Sequence, residues 1–280
     1  MNDWHLDQRF DTSGGSVAAG SAGDGPALVL AHGWPWSSYA WHRVIPTLAQ
    51  HFTVYWFDMP GFGQSEMSPP EPPSLALQGH VFGEMLDHWQ LDKPAVLAHD
   101  FGGAVSLRAH LLHGRDLSQL VLMNVVAMRP WGSAFFDHVG QHIEAFQGVP
   151  PHIHRGIADA YIAGALARPI PDQDRERLLE PWLSAEGQSA FYTQFALAEE
   201  ALTAEFEPLL SKMRCPVSVL WGEDDPWIPL ARGEALAGAL CVSLHRLSGL
   251  GHLPQLENPS LVTDAVLRTL APQPQMVNDV

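Results

Sequence analysis

The sequence predicts a doubly wound α/β fold, a mostly parallel sheet with helices on both faces and a helical segment inserted late in the chain. Three observations predict it. Short, near-continuous apolar runs recur along the 280 residues, as strands covered on both faces require. Longer stretches of helical period separate them, the alternation that links parallel strands through crossovers. Between about Met128 and Lys212 that rhythm stops, leaving helical stretches and proline clusters such as "GVPPHIH" and "RPIPDQD".

Taken in order, "WHLDQRF" and "SVAAGSA" read as a hairpin joined through Gly14-Gly15, an antiparallel edge. "ALVLAHG" (27–33) is the first parallel strand, followed by a helical stretch "AWHRVIPTLAQ" (40–50). "FTVYWFD" (52–58) is the next strand, and "SLALQGHVFGEMLDHWQL" (74–91) the next helix. "PAVLAHD" (94–100) runs into a second helical pattern, and "QLVLMNV" (119–125) precedes the insert. The sheet resumes at "VSVLWGE" (217–223) and continues in "VSLHRL" (242–247). The chain thus divides into a core, residues 1–127 and 213–280, and a helical insert, residues 128–212. Ligands of open α/β sheets bind at the carboxyl ends of the strands, so an insert leaving from one such end roofs the site.

The composition narrows the function classes. Hydrophobic residues make up 46% and charged residues 16%, an ordinary globular balance in a chain long enough to bury a substantial core. Fifteen Lys and Arg face 31 Asp and Glu, for a net charge of −16. That field repels nucleic acid and anionic membrane surfaces, so neither is an expected partner. Cys215 and Cys241 are the only cysteines, which excludes a disulfide framework and suits a reduced compartment. The first residues lack a basic start followed by an apolar core, and no apolar run approaches the ~18 residues of a membrane span. A cytoplasmic protein is expected, with its oligomeric state open, a homodimer included.

Chemistry concentrates first in "VLAHDFGGAVSLRAH" (96–110). A nucleophile elbow is a tight strand-to-helix turn that needs small residues two before, two after and often three after the nucleophile. Around Asp100 those positions hold Ala98, Gly102 and Gly103. An aspartate merely capping a helix would fit the same turn, and two later segments decide against that plainer reading. "WGEDDPWIP" places Asp225 after a strand, and "LSGLGHLPQLENP" places His252 in a glycine-framed loop after the next one. Nucleophile, acid and histidine in this chain order form the arrangement associated with α/β-hydrolases. "LAHGWPWSSYAW" follows the first parallel strand, where a second oxyanion donor belongs. The Trp34 and Phe101 N–H groups are the expected pair. Ser65, in "GFGQSEM", lacks the small residue a serine elbow needs after it and is read as structural.

At these residues the chain resembles the Asp-nucleophile branch of the α/β-hydrolase superfamily: epoxide hydrolases, haloalkane dehalogenases and fluoroacetate dehalogenases. The resemblance spans roughly residues 25–270 and rests on "HGWPWSSYAWHRVIP", "DMPGFGQSE", "AHDFGGA", "GEDDPWIP" and "GHLPQLENP". It implies an α/β-hydrolase fold with an inserted helical cap and hydrolysis without a cofactor. The fingerprint G-x-G-x-x-G is absent after the first strand, so a nicotinamide cofactor is not expected. The pairs His138/His142 and His152/His154 lack a third ligand at metal-site spacing and are read as surface or pocket-lining residues.

Why an aspartate? Attack by a carboxylate on an ester carbonyl gives an anhydride, a poor route to hydrolysis. Attack on a saturated carbon gives a stable alkyl ester, which water activated by a histidine then cleaves. The expected substrate is therefore a small apolar molecule with an electrophilic sp³ carbon, an epoxide first and an alkyl halide second. An epoxide oxygen needs a proton donor as it leaves, and epoxide hydrolases use cap tyrosines. Tyr161 and Tyr192 lie in the insert and are the substrate-binding candidates, with Trp34 as a third. A halide needs N–H donors. Haloalkane dehalogenases place a tryptophan directly after the nucleophile, where this chain has Phe101. The fluoroacetate enzymes place an arginine there, which Phe101 also replaces. The rival of another class is a silent, hydrolase-like ligand-binding protein, for which a complete triad would be superfluous.

Overall fold

The structure, a computed structural model, describes residues 4–271. Eight strands form one sheet: β1 Gln8–Thr12, β2 Gly15–Ala22, β3 Ala27–Ala31, β4 Thr53–Phe57, β5 Ala95–Asp100, β6 Gln119–Val125, β7 Val217–Gly222 and β8 Leu244–Leu247. Their order across the sheet is β1-β2-β4-β3-β5-β6-β7-β8. The first two form the expected antiparallel edge, β2 pairs antiparallel with β4, and the rest are parallel. Every residue of β5 is buried, which explains why its sequence is apolar without alternation.

Helices α1 Ile45–Leu48, α2 Leu75–His88 and α3 Phe101–Leu111 link the first strands. The expected helix over residues 40–50 is broken: a 3₁₀ turn, Ser38–Trp41, precedes the four-residue α1. Pro46 is the reason, because it has no N–H to give to the preceding turn. Between β6 and β7 come α4 Ala134–Gln141, α5 Ile143–Gln147, α6 Pro151–Ala163, α7 Asp172–Leu179, α8 Ala185–Leu197 and α9 Glu200–Ala204, with no strand among the described residues. Then α10 Leu230–Leu240 leads to β8, and α11 Pro254–Glu257 and α12 Pro259–Leu270 end the described chain.

Two apolar clusters lie on the two faces of the sheet. The larger contains Val81, Phe82, Val105 and Leu107 from α2 and α3 and continues into the helical segment through Ile162, Trp182 and Phe191. That segment is clamped to the core by Asp174 of α7, which is buried and accepts from Tyr39 Oη at 3.0 Å and Arg43 Nε at 2.7 Å.

The strand order reverses between β3 and β5, since β3 connects outward to β4 while β5 continues to β6 on the other side. Such a reversal opens a crevice at the carboxyl ends of the two strands. The segments that leave it are His32-Gly33-Trp34 and Asp100-Phe101, the ones singled out in the sequence. No helix among the described residues is long and apolar enough to cross a membrane.

Candidate active site

Asp100 ends β5 and precedes α3 with φ 51° and ψ −122°, a positive φ that a non-glycine residue adopts only at a cost. The turn stays tight because its neighbours have no side chain in the way. A Cβ on Gly102 would strike the Ala31 carbonyl, and one on Gly33 would strike the Asp100 carboxylate itself. The β5–β6 register also shifts between His99 and Asp100, so the pairing ends where the turn begins. The carboxylate is 4% exposed, a buried charge that needs partners.

Trp34 N–H donates to Asp100 Oδ1 at 2.7 Å. Phe101 N–H is the first of α3, where backbone donors have no acceptor within the helix. On the other oxygen, His252 Nε2 lies 3.3 Å from Asp100 Oδ2. That approach is off the line of a directed hydrogen bond, and Nε2 has no other partner. His252 Nδ1 is 2.8 Å from Asp225 Oδ2, which fixes the ring's orientation.

Asp225 is held from four directions. Oδ1 accepts the N–H groups of Trp227 and Ile228, both at 2.8 Å, and Oδ2 accepts Asn124 Nδ2 at 2.7 Å as well as His252. Burial raises its pKa, but the His252 charge and these bonds outweigh burial and hold it below the usual carboxylate range. For His252, burial favours the neutral ring, yet Asp225 and Asp100 together outweigh it and push the pKa up to about 10. Both neighbouring carboxylates thus favour the protonated form of the His252 ring. That ring is covered by Trp227, with centroids 5.1 Å apart, and Trp227 stacks in turn on Trp36 at 5.5 Å.

A cavity of about 340 Å³ opens on this group and is lined by Trp34, Phe101, Trp131, Phe136, Tyr161 and Trp227, among others. Burial, and then the Asp100 charge, raise the Tyr161 pKa well above that of a free phenol, so its hydroxyl stays protonated at neutral pH. Trp34 packs against Phe195 at 4.6 Å, Tyr161 at 5.2 Å and Phe191 at 5.4 Å, and its Nε1 is buried without a hydrogen-bond partner.

The model of the Alpha/beta hydrolase family matches residues 28–265. The chain belongs to that family. A crystal structure of an alpha/beta hydrolase fold protein from Burkholderia ambifaria is 44% identical, with a TM-score of 0.91 over 94% of this chain and 97% of the other. A soluble epoxide hydrolase of Corynebacterium sp. (strain C12) is 43% identical over 88 residues, 31% of this chain and 30% of the relative. A haloalkane dehalogenase, DbeA from Bradyrhizobium elkani USDA94, is similar in fold alone. It is 18% identical, with a TM-score of 0.78 over 94% of this chain and 96% of the other.

The hydrolase brings Asp100, Asp225, His252, Trp34, Phe101 and Tyr161 together. Tyr192 is a correction: it is fully buried, its hydroxyl lies 3.0 Å from His154 Nδ1, and it does not line the cavity. Successive helical residues turn by about 100°. Phe191 and Phe195 of α8 face Trp34, so Tyr192 points elsewhere. His154 Nε2 meets the Trp182 carbonyl at 2.9 Å, which makes this pair a packing device. Ser65 donates to the Asp58 carbonyl and accepts from Ala18 N–H, the structural role expected of it. The His138 and His142 rings lie 4.7 Å apart, tilted by 59°, and no group of three metal-ligating side chains converges among the described residues.

Sequence reasoning missed Asn124 and His99. Asn124 has a left-handed φ of 47°, accepts Gly222 N–H at 2.9 Å and donates to Asp225. Its signal was a lone amide inside "LVLMNVV". His99 Nε2 meets the His252 carbonyl at 2.6 Å. Burial, then the neighbouring His252 charge, lower its pKa to about 3, so it stays neutral and adds no charge to the site.

Proposed function

We propose that this hydrolase opens epoxides through an ester on Asp100, beneath a cap formed by the helices between β6 and β7. The observation that carries the reading is a carboxylate, rather than a hydroxyl, on the strained turn, with one oxygen bound by Trp34 N–H and the other facing His252. Asp100 Oδ2 attacks a ring carbon, a C–O bond of the ring breaks, and the ring oxygen takes the proton of Tyr161. The product is a hydroxyalkyl ester of Asp100.

Ester formation removes the Asp100 charge that helped hold His252 protonated. His252 then gives up a proton, which restores Tyr161 by way of solvent. The neutral imidazole takes a proton from water as the hydroxide adds to Cγ of Asp100. Oδ1 becomes the oxyanion, stabilised by the Trp34 and Phe101 N–H groups. Collapse breaks the Cγ–Oδ2 bond, the leaving oxygen takes the proton of the hydroxyl just added to Cγ, and the diol departs with the oxygen that began on Asp100. The carboxylate, the imidazolium and the phenol are all restored.

A haloalkane is the second reading, favoured by the unpartnered Nε1 of Trp34, a buried N–H suited to a leaving halide. The first half would then end in halide release, and the second half would be unchanged. Epoxides lead because Tyr161 supplies the proton they need, and because Phe101 stands where dehalogenases carry an indole. A panel of both substrate classes, assayed for diol and for halide, tests the choice. Diol formation abolished by Asp100→Ala is the expected result, and halide release without diol formation would reverse the order.

A further inference from the structure

Among the residues lining the cavity, Asp100 and Arg232 are the only two that carry full charge. Arg232 stands in the first turn of α10, the segment that follows Asp225 and Trp227. Most arginines of this acidic protein are paired with carboxylates, as Arg43 is with Asp174, Arg129 with Glu207 and Arg246 with Glu234. Among the described residues no carboxylate pairs with Arg232. Its only hydrogen bond among the described residues is a long one, 3.5 Å, from Nη1 to the Arg129 carbonyl. Its place also works against the helix, because a cation at an N-terminus opposes the macrodipole. A half-buried guanidinium in the wall of an aromatic cavity, at the unfavourable end of a helix and without a counter-ion, is arranged for a ligand that brings the counter-ion.

We infer that Arg232 is a specificity residue that binds a carboxylate on the far end of the substrate, whose apolar body lies between Trp34, Phe101, Trp131 and Phe136. Resting on the ester mechanism above, this narrows the substrate class to apolar epoxides bearing an acid group. The guanidinium offers a forked pair of donors that fits a carboxylate, and in a largely apolar cavity the pair is less screened than at a surface. A neutral ester or amide of the same shape lacks the charge and loses that contact. The net charge of −16 makes the preference more telling, since the protein as a whole repels anions.

The test uses inert probes, so that binding is read apart from turnover. The cavity holds Trp34, Trp131 and Trp227, and their fluorescence reports occupancy. Wild-type protein titrated with 3-phenylpropanoate and with 3-phenylpropanamide should bind the acid at least tenfold more tightly. Arg232→Gln should erase that preference while leaving the amide affinity unchanged, which also shows that the cavity is intact. Arg232→Lys should keep part of it. Equal affinity of the wild type for the two probes, no binding of the acid, or an undiminished preference in Arg232→Gln would each overturn the assignment. If the acid binds through Arg232 and no epoxide or haloalkane carrying a carboxylate is turned over, the ester mechanism fails and the ligand assignment stands.

Discussion

Trp34 meets Asp100 through its backbone, with N–H donating to Oδ1 at 2.7 Å, while the indole N–H of the same residue is buried without a partner. One residue thus carries two donors with separate tasks in the proposed cycle. The backbone donor holds the oxygen that becomes the ester carbonyl and then the oxyanion. The indole donor, which has no partner, is the one the haloalkane reading assigns to the leaving halide.

That separation gives opposite expectations for two substitutions. Tyr161→Phe removes only a hydroxyl and should slow epoxide alkylation by roughly a hundredfold, within the usual range for a lost general acid. Trp34→Phe keeps the backbone donor and should instead impair halide release from any haloalkane substrate. Stopped-flow alkylation with each class measures both.

Tyr192→Phe serves as the contrast. Its hydroxyl is engaged with His154 in a buried contact. The change should lower stability by about 1 kcal/mol, read as a shift in thermal midpoint. Alkylation rates should stay near those of the wild type.

His252→Gln removes the proposed base and spares the proposed nucleophile, Asp100. Incubation with a turned-over substrate should add one substrate mass to the peptide containing Asp100, and the adduct should persist. An adduct elsewhere, or unchanged turnover, would remove His252 from its role.

The His252 pKa, raised to about 10, links stability to pH. A histidine whose folded pKa exceeds its unfolded value of about 6.5 stabilises the fold fully below that value, and loses the contribution as pH rises toward 10. The thermal midpoint should therefore fall between about pH 7 and pH 10. Asp100→Asn removes one of the charges that raise this pKa, so the variant should show a shallower decline.

Asn124→Ala should leave Gly222 N–H without its acceptor and Asp225 without one of its donors. Each buried group left unpaired costs about 1–3 kcal/mol. The left-handed backbone at Asn124 adds to the loss, because alanine tolerates it less well than asparagine. A lowered thermal midpoint and slower hydrolysis of the ester are expected together.

Much of this site could be read from the sequence because its parts sit where strands end. The buried strands announce themselves as unbroken apolar runs, and Asp100, Asp225 and His252 each follow one. Gly33, Gly102 and Gly103 mark places of close approach that their lack of a side chain makes legible in the sequence. The phase of the helices between β6 and β7 is different. Which of Phe191, Tyr192 and Phe195 faces Trp34 depends on how α8 packs, and all three are apolar enough to be buried on either side. Asn124 acts across the sheet on a strand distant in sequence. Arg232 gains its meaning only from having no carboxylate partner among the described residues, a property of the folded surroundings.

The central claim is that the substrate's new oxygen comes from Asp100 rather than directly from water. A single turnover in H₂¹⁸O, with enzyme in excess over an epoxide substrate, tests it most directly. The account predicts a diol that carries only ¹⁶O at the attacked carbon and one ¹⁸O in the peptide containing Asp100. A diol labelled with ¹⁸O after one turnover, with Asp100 unlabelled, would mean that water attacks the substrate itself and would contradict the ester mechanism.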